Sequence, residues 1–64
     1  MKIEEVKSNL NRMVKYKGIS NVYELTACIL RKGESGFFYQ AELKDRKSGT
    51  SVLICKLEEI EVIE

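Results

Sequence analysis

From Met13 onward the chain places apolar residues at every second position, and two glycine-bearing breaks, KGESG (32–36) and DRKSG (45–49), cut that alternation into segments. A period of two marks strands with one dry and one wet face, because successive side chains leave a strand on opposite sides. MVKYK (13–17) sets Val14 and Tyr16 on one side and Met13, Lys15 and Lys17 on the other. VYELTACILRK (22–32) sets Tyr23, Leu25, Ala27 and Ile29 on one face and Val22, Glu24, Thr26, Cys28 and Leu30 on the other. GFFYQAELKD (36–45) returns after the first hairpin and TSVLICKL (50–57) after the second, where Asp45 suits the opening of a turn and Gly49 its left-handed close. EEI (58–60) is expected to form one tight turn and EVIE (61–64) a last short strand.

Ahead of the strands, Ile3, Val6, Leu10 and Met13 recur at helical spacing, and Glu4 and Glu5 fall where a helix dipole favours negative charge. A helix over roughly residues 2–11 is expected from this stripe. One helix and five short strands predict a mainly β fold, a small five-stranded antiparallel barrel of the SH3-like or Sm-like kind in a single domain spanning 1–64. A sheet this small buries its apolar face by curling on itself. The core is necessarily small, since a chain of about 60 residues buries only about 60% of its unfolded surface.

The run Phe37, Phe38, Tyr39 cannot point one way in a strand. Ala41 and Leu43 share a face with Phe37 and Tyr39, whereas Gln40, Glu42 and Lys44 share the other with Phe38. The polar set defines the outer face, so Phe38 is the ring expected outside, unless a bulge at Gly36 reverses the strand's start. VLIC (52–55) is apolar on both faces at once, and either the helix or a subunit interface is expected on its second side. Association into dimers or larger homo-oligomers suits so small a core.

The residue types restrict the chemistry. Histidine, the commonest general acid–base, is absent. The paired acids Glu4/Glu5 and Glu58/Glu59 are adjacent, so in a helix or strand they diverge. Cys28 and Cys55 sit in apolar runs, LTACIL and VLICKL, as expected of reduced core thiols that are neither nucleophiles nor zinc ligands. GESG is too short for a phosphate loop and precedes a strand. An enzyme is not expected, nor a metal or cofactor. No apolar run approaches the ~20 residues of a membrane span. The opening MKIEEVKSNLNR lacks an export signal's apolar run, so a cytoplasmic protein is expected.

The overall charge of +1 conceals an uneven distribution. Residues 12–47 hold eight cations against four acids, whereas residues 48–64 hold Lys56 against four acids. A basic middle can steer anions, and charge polarity can favour head-to-tail contact between copies. Lys15, Lys17, Arg31, Lys32, Lys44 and Arg46 lie on or beside strands with Tyr16, Tyr23, Phe38 and Tyr39 interleaved, although alternation assigns Tyr23 and Tyr39 to the core. Cations beside flat rings suit a ligand with phosphates and a base. The expected ligand-binding set is Lys15, Tyr16, Lys17, Arg31, Phe38, Gln40, Lys44 and Arg46.

The run from Tyr16 to Glu61 follows a pattern Y-x-G…Y-x-L-T-x-C-I-x-R…F-x-Y-Q-A-E-L-x-D…S-V…L-x-x-I. In this it resembles a group of small proteins of Firmicute phages and mobile elements, and also the N-terminal β-region of phage Thoeris anti-defence proteins. Those are oligomeric sponges that sequester cyclic ADP-ribose-type immune signals without cleaving them. The resemblance implies a non-enzymatic, self-associating protein of the host cytoplasm that holds a nucleotide-like anion. The C-terminal helical region of the sponges has no counterpart here. The competing expectation is an interaction module that binds nucleic acid or a host protein through its basic, aromatic-bearing face. The uridine-reading loop of Sm-like RNA binders and the groove tryptophan of peptide-binding SH3 domains are both missing.

Overall fold

The computed structural model describes residues 1–17, 22–45 and 52–63. Its elements run in the order α1 (Ile3–Asn9), β1 (Met13–Tyr16), β2 (Val22–Gly33), β3 (Gly36–Lys44), β4 (Val52–Lys56), a single 3₁₀ turn (Leu57–Glu59) and β5 (Ile60–Val62). The helix is shorter than its stripe suggests. It ends where Leu10, left exposed, swings its ψ out to 135°, and Asn11 then adopts a left-handed φ of 66°, a conformation that asparagine tolerates. The Asn11 N–H then donates to Leu25 O at 2.6 Å and the Leu25 N–H to Arg12 O at 2.9 Å, which leads the chain directly into the β1–β2 pairing. Seven residues are too few for a helix to be stable alone, so packing must hold α1.

All five strands form one antiparallel sheet in the order β4-β3-β2-β1-β5. Mainly β architecture with one short N-terminal helix therefore matches the expectation, whereas a closed barrel does not. Among the described residues β4 and β5 are the two edges, linked by the 3₁₀ turn without pairing to each other. The amino group of Met1 donates to Leu57 O at 2.7 Å and Ile60 O at 3.3 Å, so the start of the chain lies against that link. β5 pairs with β1 of its own chain.

The core lies on one face of the sheet. Val14, Leu25, Ala41, Leu43, Cys55 and Ile60 meet Val6 of α1, and Tyr16, Tyr23, Cys28, Leu53 and Leu57 pack around them. Burying a side chain such as Leu25 or Leu43 contributes about 1.5–3 kcal/mol relative to leaving it exposed.

The alternation of β2 is interrupted. Leu25 opposes Leu43, but Ala27 opposes Glu42 and Cys28 opposes Ala41, so Thr26 is an extra residue in the ladder. This bulge, and not one at Gly36, resets the faces. Ala27 and Ile29, expected beside Leu25, lie instead on the open face with Gln40 and Glu42, and Cys28 takes the core position. The Thr26 hydroxyl donates within the junction, to Glu42 Oε1 at 2.8 Å and Glu42 O at 3.1 Å.

Two residues, Glu34 and Ser35, turn β2 into β3, and Gly36 accepts a φ of 125° that a side chain would oppose. β1 pairs only with Val22–Glu24 of β2, and β4 only with Gln40–Lys44 of β3. The far half of this hairpin therefore stands as two strands, with no third strand beside it among the described residues.

Candidate hairpin-end binding site

That two-stranded end carries the exposed aromatics, and their order of exposure differs from expectation. Phe38 is 42% exposed, but Phe37 and Tyr39, assigned to the dry face, are 70% and 43% exposed. The parity of Phe37 and Tyr39 is that of Ala41 and Leu43, but neither α1 nor β4 reaches them, so the same face is dry at one end and wet at the other. Phe38 is the ring with a defined seat: a Cβ built at Gly33 would come within 3.1 Å of Phe38 Cε1. The absence of a side chain at Gly33 lets the ring lie across the hairpin.

Register then sorts the expected site residues. On the open face Lys15 stands between Val22 and Glu61, and Lys44 stands between Glu24 and Val52, so each of these lysines has a carboxylate directly across a strand. Arg31 instead faces Phe38, and Lys56 faces Gln40, with Ile29 on the other side of Gln40. The cations gathered round the ring are therefore Arg31 and Lys56. Gln40 lies between them with its Oε1 buried and without a hydrogen-bond partner among the described residues. Beside Phe38 an open cleft of about 530 Å³ is lined by Ser35, Phe38, Tyr39, Lys56, Leu57 and Glu58. It opens where β3 continues past the end of β4.

Two expected site residues have other tasks. Tyr16 turns toward the covered face, donates its hydroxyl to Glu59 Oε2 at 3.2 Å and meets the Tyr23 ring edge-on at 6.3 Å. Desolvation, then the Glu59 carboxylate, push its pKa above the ordinary tyrosine value. Lys17 lies beyond β1, with its Nζ 3.9 Å from Glu61 Oε1 and its N–H on Glu59 O at 2.8 Å. Glu59 acts as the anchor of the 3₁₀ turn, since its Oε1 also accepts the Lys56 N–H at 2.9 Å. Arg46, together with the DRKSG turn beyond Asp45, lies outside the described residues.

The structure thus joins Arg31, Phe38 and Gln40 and sets apart Lys15, Tyr16, Lys17 and Lys44. Lys56, Leu57 and Tyr39 line the cleft and were not in the expected set. Lys56 stands in the acidic third of the chain, and only the β3–β4 register brings it beside Gln40.

Cys28 and Cys55 are free thiols. Burial raises both, and Cys55, with the Glu59 carboxylate adding to desolvation, is pushed up to about 11. Among the described residues no three metal-ligating side chains come together, and no helix is long and apolar enough to cross a membrane. No protein-family model matches the chain, and neither a curated protein nor a solved structure does.

Proposed function

We propose that this protein is a non-enzymatic binding module that holds a nucleotide-like anion at the end of the β2–β3 hairpin. The observation that carries the reading is the placement around the exposed Phe38, which has Arg31 opposite it on β2 and, on its β4 side, a cleft that it lines together with Tyr39 and Lys56. A guanidinium and an ammonium hold phosphate oxygens, the first through a planar fork and the second as a point charge, while a ring seated on a glycine offers its face to a base. A cleft of about 530 Å³ falls within the range that encloses small organic ligands. Binding without turnover is also what sequestering a cyclic ADP-ribose-type signal requires, the role implied by the resemblance of residues 16–61. Nucleic acid is the second reading, favoured by the openness of this end, where a polymer can pass across the ring.

Calorimetric titration tests the proposal, with AMP, ADP-ribose, cyclic ADP-ribose isomers and a thymidine oligomer as ligands. Phe38→Ser is expected to weaken binding by about tenfold or more, since base–aromatic stacking is worth ~1–3 kcal/mol, and to leave the fold intact. A shallow salt dependence selects the small nucleotide and a steep one the polymer, because a polymer releases a counterion for each phosphate neutralised. No heat with any ligand would retire both readings.

A further inference from the structure

We propose that β4 is a self-association edge, pairing antiparallel with β4 of a second copy about a two-fold axis at Ile54. Such a contact involves β4 alone and is independent of the ligand reading.

β4 terminates the sheet, so one of its backbone edges has no strand partner among the described residues. Soluble proteins guard such edges with charges, proline, bulges or shortness. The two edges of this sheet differ in that respect. β5 is three residues long and carries Glu61 at its centre, already engaged by Lys17 at 3.9 Å. β4 is five residues long, without proline or bulge, and its one charge is Lys56 at the last position. Leu53 and Cys55 face the core, while Val52 and Ile54 are 56% and 42% exposed on the open face, where α1 does not reach them.

A two-fold register centred on Ile54 is self-complementary. It places Ile54 against the partner's Ile54 and Lys56 against the partner's Val52, so no like charges meet. Each exposed apolar side chain gains a neighbour across the junction, and the lysine stem lies along a valine. The contact is isologous and closes at two copies, joining two five-stranded sheets into one. Pairing β4 with β5 of another copy would instead use the shorter, charged edge and would propagate or close as a larger ring.

Sedimentation equilibrium of the intact chain gives the first test, with twice the 7.4 kDa chain mass expected. Ile54→Lys is expected to sediment as a monomer with an unchanged circular dichroism spectrum. If that variant fails to fold, Ile54→Cys decides: a residue on the axis meets its own copy, so mild oxidation should yield a covalent dimer that the wild type, with both thiols turned inward, does not form. A wild type that stays monomeric at every concentration, or forms trimers or larger rings, overturns the proposal. So does Ile54→Lys at wild-type mass, or Ile54→Cys without cross-linking.

Discussion

The two halves of the β2–β3 hairpin share strands, face parity and residue class but differ in environment. At the root Leu25, Ala41 and Leu43 are fully buried; at the tip Leu30, Phe37 and Tyr39, of the same parity as Ala41, are 58%, 70% and 43% exposed. Alternation decides which side chains share a face. Whether that face is dry depends on what lies over it, and here α1 and the neighbouring strands cover only the root. Buried apolar contact is therefore concentrated at one end and solvent-exposed apolar surface at the other.

Substitution at matched positions should separate the halves most sharply. Leu43→Ala removes a fully buried side chain and is expected to cost about 2–5 kcal/mol, a large part of what so small a domain possesses. Phe37→Ala, on the same face and strand, should cost less than about 0.5 kcal/mol, as exposed positions do. Urea denaturation of the two variants measures the contrast, and equal costs would erase it.

Alkaline pH should act on the root through Cys55. Its thiol is held neutral up to about 11, against an ordinary 9.0. Between those values the unfolded chain has released a proton that the folded chain retains, so unfolding grows easier as pH rises through this window. Stability should be level below pH 9 and fall from there toward 11. Cys55→Ala should flatten that fall, as urea midpoints across the range would show.

A smaller effect is expected at the boundary between the halves. Thr26→Val removes the hydroxyl that donates to Glu42 and should cost about 0.5–1.5 kcal/mol. Smallest of all, Gln40→Leu removes a buried acceptor that has no partner among the described residues and should leave stability unchanged or slightly raised, because the desolvation cost disappears with the group. A marked loss there would mean that the amide has a structural task.

The strands and the first hairpin were legible because period-two alternation and glycine are direct expressions of backbone geometry. The bulge was not. In ELTACIL both faces are apolar or small, so alternation gives no signal when a residue is added, and Thr26 carries no glycine mark. Closure of the barrel was equally hidden, since it depends on whether β4 reaches β5, and the 3₁₀ turn that separates them looks the same in either arrangement. Phe38 was found by alternation and Arg31 by residue type alone, since unbroken alternation would have set Arg31 on the face of Leu25. Lys56 was not, because its place beside Gln40 follows from a pairing between strands whose loop length does not specify register. Tyr16 looked like a ligand residue because a strand tyrosine among lysines has the same local pattern whether it faces solvent or Glu59.

The supernumerary Thr26 has a reach greater than its size. Arg31 is five residues further along β2, about 16 Å at the rise of an extended chain, and it owes its place beside Phe38 to the parity change made at Thr26. Paired in unbroken register from Leu25, with Thr26 opposite Glu42, the strand would carry Leu30 and Lys32 to the side of the ring and turn the guanidinium away. The chemistry offered at the tip is thus governed from the root by a phase slip, much as a single dropped stitch displaces every later row of a knitted pattern.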